Sequence, residues 1–216
     1  IKIRSDLSFV IITKRIHRFL ECIPKDWNSG YDNVTIYCTC ENQKMADYRL
    51  PIFIDLPIKH KAIIHEPMLE NINIEEFLQA GIIEQVICGG ESGDNARICN
   101  YDWILNTRKQ CIRHNINFYF KQTGAKFIKD NKLYNIERKF QISQAKKADI
   151  DYIKISSNQQ LFDRLQKSKF RSSFYLKEKD KQYVLDKGMD TIRKHTEDFI
   201  AERLAPAYIE NDGKLL

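Results

Sequence analysis

The chain has 216 residues, of which 43% are hydrophobic and 30% charged, a composition typical of soluble globular proteins. No apolar run approaches the roughly 20 residues that a membrane span needs, so we expect no membrane partner and predict a cytoplasmic protein. The net charge of +6 is mild. Six cysteines without a CxxC pair favour reduced thiols over a disulfide scaffold.

Strand-like and helix-like segments alternate along the first 124 residues. The helical predictions cover residues 15–21, 41–50, 74–80 and 102–114, with Pro24, Pro51 and Gly81 as helix stops. In the last of these helices, Trp103, Ile104 or Leu105, Thr107 and Cys111 lie roughly on one side. β-Branched and apolar runs predict five strands, the first of them buried, at residues 8–13, 33–38, 62–65, 82–88 and 116–120.

Such alternation predicts a parallel sheet, because parallel strands need crossover connections. Five strands fit either an open doubly wound sheet or the last five strands of an eight-stranded barrel. We predict an α/β fold: a partial parallel (β/α) barrel comprising the last five strands, followed by a mainly helical C-terminal segment. The opening Ile1–Arg4 lacks an initiator methionine, which agrees with our expectation that the front half of the barrel is missing.

The composition and periodicity of the sequence change after Gly124. Residues 125–176 are polar with weak periodicity, whereas residues 177–204 predict one long helix. We therefore predict a barrel half over residues 1–150, a linker over 151–173 and the helical start of a second domain over 174–216.

Polar side chains follow each predicted strand, at the edge where parallel strands place functional groups. They are Lys14, Arg15, Glu41, His65, Glu66, Glu91, Ser92, Lys121 and Gln122.

The glycine-rich turn after the fourth strand is the sharpest motif in the chain. Glycine permits positive φ and close backbone approach, so exposed amides there are able to hold an anion, and an arginine adds a bidentate donor. In barrels, the loops after the seventh and eighth strands often bind phosphate. The alternative is a tight turn with Glu91 in a structural ion pair. The predicted cofactor-binding residues are Gly89, Gly90, Ser92, Gly93 and Arg97.

The predicted catalytic residues are Glu66, Glu91 and Lys121. A carboxylate such as Glu66, placed before Pro67 at a strand end, is suited to act as acid, base or ligand to a cofactor amino group. The alternative is a buried ion pair between Glu66 and Lys14, Arg15 or Lys121. We expect His65 to be a core residue rather than a base.

The cysteines predict no metal site. Cys38 and Cys40 lie two residues apart on a strand, so both point to one face. A ligand pair is the weaker interpretation and buried small hydrophobic residues the stronger one.

Several motifs together resemble a known family. Cys88–Arg97, Asp102–Trp103 and Phe118–Gly124 are similar in order and spacing to the phage-type, radical-SAM-like family named domain of unknown function 5131, also described as three-cysteine-motif proteins. Shorter matches are Thr13–Arg15, Asn33–Val34, Glu41–Gln43 and His65–Pro67, and the resemblance covers roughly residues 1–150.

This resemblance implies a barrel with an N-terminal cysteine motif for a 4Fe-4S cluster, used together with S-adenosylmethionine. That motif would lie upstream of Ile1, so we expect no cofactor in this chain as given and no activity from it alone. His65 departs from the pattern, because relatives often carry cysteine there. Residues 174–213 resemble the beginning of domain of unknown function 4186.

Two functions remain open. A radical-SAM-like enzyme with a small-molecule substrate predicts that Glu66, Glu91, Arg97 and Lys121 converge on one cleft. A phage or mobile-element module that binds nucleic acid through the basic stretch 121–171 predicts a continuous lysine face. That face would contain Lys126, Lys129, Lys132, Lys139 and Lys147. A homodimer is a further hypothesis, since a bare edge strand favours association.

Overall fold

A computed structural model describes residues 1–154, and Ile1–Lys154 forms one compact unit. The predicted linker, the predicted helix over 177–204 and the second domain fall outside the described residues. No helix in the described part of the chain is both long and apolar enough to cross a membrane.

The core of the fold is a five-stranded sheet in which every neighbouring pair is parallel. The prediction of a parallel sheet is confirmed. Its spatial order follows the chain without the reversal that marks a doubly wound sheet. Within residues 1–154 the sheet does not close into a barrel. Its strands are β1 (Phe9–Thr13), β2 (Val34–Thr39), β3 (His60–His65), β4 (Ile83–Gly89) and β6 (Asn117–Gln122).

The crossovers between strands carry the helices. Asn42 caps α2, its Oδ1 accepting a hydrogen bond from the Met45 amide at 2.9 Å, and Asn100 caps α4 in the same manner. The helices are α1 (Phe19–Cys22), preceded by a 3-10 turn (Ile16–Arg18), α2 (Gln43–Asp55), α3 (Glu75–Leu78), α4 (Tyr101–Arg113) and α5 (Arg138–Lys147). Gly81 follows α3 with φ of +68°, as expected of a helix stop.

Two sequence predictions about individual elements are wrong. Pro51 does not end α2 but lies inside it. A proline in a helix interior costs about 3 kcal/mol, and the helix continues because its next turn brings Phe53 into the core beside Leu50. Strand β1 is not buried: Val10 and Ile12 are 58% and 56% exposed, because β1 forms the edge of the sheet.

A second, three-stranded sheet and the helix after it lie in sequence that predicted no regular structure. Strand β5 (Ile98–Asn100) pairs parallel with β7 (Lys126–Lys129), which forms a hairpin with β8 (Lys132–Asn135). Asp130 and Asn131 make the two-residue turn with φ of 52° and 58°, the left-handed values that a tight hairpin requires. We call residues 126–147, which comprise β7, β8 and α5, the hairpin–helix lobe.

The two faces of the five-stranded sheet differ. One face packs against the helices and forms the main core, which includes Leu50, Phe53, Ile104 and Phe118. Burial of Ile104 settles which residue of α4 faces the sheet. The opposite face, which we call the open face, has a small buried cluster of Tyr37, Ala62 and Ile64.

The outer edge of β6 is also occupied. Phe118 and Tyr152 exchange two backbone hydrogen bonds, of 2.7 and 2.9 Å, in an antiparallel bridge. The Phe120 amide donates to Asp151 at 2.8 Å, and the Lys154 amide donates to the Asn117 side chain at 2.9 Å. The last described residues therefore cover this edge strand.

Candidate functional site

Because all five strands point the same way, the polar residues that follow them meet at one edge of the sheet. We call this edge the strand-end rim. It contains Lys14, Glu41, Glu66, Glu91 and Lys121, each of which takes part in a charge interaction with another residue of this edge or with an adjoining arginine.

Glu66 and Lys121 form an ion pair with a 2.7 Å Nζ–Oε2 distance. Their side chains are 16% and 41% exposed, respectively. Glu66 follows β3 and Lys121 lies on β6, so the pair reaches across β4, which lies between those strands. Gly89 of β4 leaves room for it, since a Cβ at that position would lie 3.2 Å from Glu66 Oε1. Of the three cations that the sequence offered as partners of Glu66, the one that pairs with it is thus Lys121.

Gly90 and Gly124 hold two rim loops together. A Cβ on Gly90 would lie 2.1 Å from the Thr123 carbonyl oxygen, and one on Gly124 would lie 2.7 Å from the Gly90 carbonyl carbon. The Gly90 amide donates to the Gln122 carbonyl at 3.0 Å. The Gly90 amide is therefore used within the protein and is not free to bind an anion, as the sequence prediction required.

Glu91 and Arg97 close the loop after β4 on itself. The Arg97 guanidinium donates to both carboxylate oxygens at 2.8 and 2.7 Å, and the Arg97 amide adds a third bond at 2.8 Å. These side-chain and backbone hydrogen bonds lower the pKa of Glu91 to about 2. Glu91 is consequently an ionised structural partner of Arg97, as the ion-pair alternative predicted.

Ser92 connects this loop to the hairpin–helix lobe. Its hydroxyl donates to Gln141 Oε1 at 2.7 Å, and a weaker 3.4 Å contact reaches Gln122. Gln141 is 1% exposed although it is polar. Gly93 follows with φ of +109° and has open space where a Cβ would stand.

Arg49 of α2 is a rim residue that no sequence signal indicated. It is only 8% exposed, donates to the Thr39 carbonyl at 2.7 Å and pairs with Glu41 at 2.6 Å. Burial is the largest single influence and acts to raise the pKa of Glu41, but the hydrogen bond and charge of Arg49, a backbone hydrogen bond and the charge of Lys14 together lower it. An arginine in a helix, eight residues after the glutamate with which it pairs, matches no sequence motif that would predict the pair.

His65 is fully buried at the end of β3, as predicted. Its Nδ1 lies 2.6 Å from the Cys40 carbonyl oxygen, which only accepts hydrogen bonds, so Nδ1 carries the proton. Nε2 is buried without a hydrogen-bond partner. Desolvation lowers the pKa of His65 to about 4, so the ring is neutral near pH 7.

Five of the six cysteines are buried like small hydrophobic residues, whereas Cys22 is exposed. Cys38 and Cys40 are both buried, and hydrogen bonding to Cys38 together with burial raises the pKa of Cys40. Burial likewise raises the pKa of Cys99 and of Cys111 to about 12. Among residues 1–154, no group of three or more histidine, cysteine, aspartate or glutamate residues is arranged to hold a metal ion.

The predicted site residues therefore form two ion pairs at the rim. A cleft of about 500 Å³ lies beside them, lined by the loop after β4 and by the hairpin–helix lobe. Of the predicted site residues, Gly93 lines this cleft, whereas Glu66, Glu91, Arg97 and Lys121 do not.

The lysines of the predicted basic face lie on more than one side of the lobe. Lys129 and Lys132 are direct partners in the hairpin, next to the turn. Lys126 lies three residues before Lys129 on the same strand, so its side chain points to the opposite face. Lys139 is paired with Glu137 at 2.8 Å.

No solved structure matches this chain. The model of a family described as Protein of unknown function (DUF5131) matches residues 1–188, which extends beyond residue 150, where the sequence resemblance was expected to end. Since this match spans most of the 216 residues, the chain belongs to that family of unknown function.

Proposed function

We propose that this chain is the cofactor- and substrate-binding part of a radical-SAM-like enzyme, and that its strand-end rim binds S-adenosylmethionine. The observation that supports the proposal is the Glu66–Lys121 pair, which joins opposite charges across Gly89 at the carboxyl end of a parallel sheet. Ligands of open parallel sheets bind at this end.

The residues present fit the methionyl end of S-adenosylmethionine. Its ammonium group complements the Glu66 carboxylate, and its carboxylate complements the Lys121 ammonium. Glycine at position 89 keeps the approach to both groups free of a side chain. The ligand would thus replace one internal ion pair with two ion pairs of its own.

The described residues do not fit a 4Fe-4S cluster. Such clusters need cysteine thiolates, and burial among apolar neighbours disfavours the thiolate of Cys88, Cys99 and Cys111, because it raises the pKa of each thiol. We therefore assign no cluster ligand to residues 1–154 and no reaction step to a cluster held by them.

When bound, S-adenosylmethionine would supply a carbon–sulfur bond open to reductive cleavage, for which residues 1–154 hold no electron donor. The protein's own residues would bind and orient it: Glu66 would accept from the ammonium, and Lys121 would donate to the carboxylate. Arg97 keeps the Glu91 loop in place, and the Gly90–Thr123 contact keeps the two rim loops in register.

Binding of S-adenosylmethionine by equilibrium dialysis tests the proposal. We expect Glu66→Gln and Lys121→Met each to weaken binding about tenfold or more, because each removes one charge-assisted hydrogen bond. Glu75→Gln is the matched control, since it removes a carboxylate paired with Arg113 away from the rim.

S-Adenosylhomocysteine, which has the same amino-acid end, should compete. Absence of saturable binding, or equal loss in the Glu75→Gln control, contradicts the proposal. Expression from the natural gene and purification without oxygen is the complementary test, because a protein that carries no iron and leaves S-adenosylmethionine intact would not be a radical enzyme.

The alternative is nucleic-acid binding by the basic stretch 121–171. It is supported by the composition of residues 126–147, which contain seven basic and two acidic residues. Lys129 and Lys132 are adjacent across the hairpin, and no carboxylate among residues 1–154 lies at salt-bridge distance from either of them. Fluorescence anisotropy with a labelled single-stranded oligonucleotide tests it, with a steep loss of affinity in salt as the expected result.

A further inference from the structure

The cleft beside the rim has the size and the fixed walls of a small-molecule site. Its volume of about 500 Å³ falls within the range of roughly 300–1,000 Å³ that ligand pockets occupy. One wall is Gly93 and Asp94 of the loop after β4, and the other comprises Lys126, Asn135 and the first residues of α5.

Hydrogen bonds hold these walls in place. Gln141, which lies in the lining, accepts from the Ser92 hydroxyl at 2.7 Å and donates to the Ile136 carbonyl at 3.1 Å. The Ala125 amide donates to the Glu91 carbonyl, and the Ile136 amide donates to the Ala125 carbonyl, each at 2.8 Å. A cavity with walls fixed in this way loses little freedom when a ligand binds.

The charges in the cleft are not all used within the protein. Glu137 is paired with Lys139, which is not one of the residues that line the cleft. Lys126, Arg138 and Asp94 also line the cleft, and no ion pair within 4.0 Å or side-chain hydrogen bond joins any of them to another described residue. Two cations and one carboxylate thus remain available to a ligand.

We propose that this cleft binds a phosphorylated small molecule that also carries hydroxyl groups, such as a sugar phosphate or a nucleoside monophosphate. The phosphate would accept hydrogen bonds from Lys126 and Arg138, since arginine and lysine are the usual donors to phosphate. Hydroxyl groups at the other end would donate to Asp94. Open space in front of Gly93 leaves the wall beside Asp94 accessible.

The inference does not rest on the function proposed for the rim, because Lys126, Arg138 and Asp94 are not rim residues. The two sites are nevertheless linked by one loop, which carries both Glu91 and Gly93. A ligand in the cleft would therefore lie against the loop whose other side belongs to the rim.

Isothermal titration with inorganic phosphate, ribose 5-phosphate and adenosine monophosphate tests the proposal on the whole chain. We expect the two organic phosphates to bind more tightly than inorganic phosphate. Lys126→Met with Arg138→Met should weaken every ligand about tenfold to a hundredfold, because two charge-assisted hydrogen bonds are lost. Asp94→Asn should weaken only the hydroxyl-bearing ligands.

The matched control is Lys25→Met with Lys44→Met, which removes the same charge from exposed lysines outside the cleft. Equal weakening in this control, or no saturable binding of any phosphate, overturns the proposal. So does an Asp94→Asn protein with unchanged affinities. Tighter binding of a single-stranded oligonucleotide than of either organic phosphate would replace it with the nucleic-acid alternative.

S-Adenosylmethionine binding is measured on the same variants. The cleft variants should retain it, and the Glu66→Gln protein should retain phosphate binding. Failure of one site is thereby distinguished from failure of the other.

Discussion

The two faces of the five-stranded sheet obtain their stability in different ways. The helix-packed face buries a continuous apolar core that contains Phe53, Phe118 and Phe120, whereas the buried cluster of the open face consists of Tyr37, Ala62 and Ile64. A parallel sheet is usually covered on both faces. One face therefore supplies the packing energy, while the carboxyl end of the other carries the Glu66–Lys121 pair.

The largest expected difference between the faces comes from core truncation. Phe53→Ala on the helix-packed side should lower the free energy of unfolding by about 3–5 kcal/mol, because it leaves a cavity in a fully buried site. Ile12→Ala on the open face removes a side chain that is 56% exposed, and should change it by less than about 0.5 kcal/mol.

Urea unfolding followed by circular dichroism measures both variants. Similar losses in the two variants would mean that the open face is also packed in solution and that the two faces do not differ in stability.

The next largest effect concerns a polar group on the packed face. The pKa of His65 is about 4 in the folded protein because the ring is desolvated, compared with about 6.5 when unfolded. Above pH 6.5 the ring is neutral in both states and the free energy of unfolding keeps its full value. As the pH falls from 6.5 to 4, only the unfolded protein binds the proton, so this stability is lost. The loss amounts to about 3 kcal/mol.

Unfolding measured at several pH values checks this, with His65→Leu as the comparison. If the wild type and the variant lose the same stability between pH 6.5 and pH 4, the desolvated histidine is not its cause.

The smallest effect concerns a polar group on the open face. Tyr37 donates to Gln85 Oε1 at 2.6 Å. Tyr37→Phe should cost only about 0.5–1.5 kcal/mol, since this is the usual net value of a hydrogen bond and water can reach the partly buried Gln85. Thermal unfolding at pH 7 measures this loss of stability. A loss above about 3 kcal/mol would mean that water does not reach Gln85 and would contradict the prediction.

Much of the sheet was predictable because its strands are apolar and separated by glycine or proline. The hairpin–helix lobe was not, since β8 is exposed at every residue and α5 buries only Gln141 and Ala145. Neither element carries the periodic apolar signal on which sequence prediction depends. Pairing of β8 with β7 and packing of α5 against β6, both tertiary effects, determine their structure.

The candidate site was predictable in position but not in its pairings. Parallel strands oblige Glu66, Glu91 and Lys121 to share one edge, so strand direction alone placed them. The cation with which each glutamate pairs depends on the length of the side chains and, for Glu66, on the space left by Gly89. These pairings cannot be inferred from neighbouring residues in the sequence. The cleft was missed because it forms where distant segments meet, and Arg49 was missed because an arginine eight residues after a glutamate matches no known motif.

The bridge between Phe118 and Tyr152 means that the two edges of the sheet are not equally open to a further strand. A further strand that approached β6 would have to displace two backbone hydrogen bonds and the Asp151 contact to the Phe120 amide. On the other side, the backbone edge of β1 is bordered by Val10, Ile11 and Ile12, all exposed. Any polypeptide that enlarges this sheet, whether from the same gene product or from another, is therefore expected to add at β1.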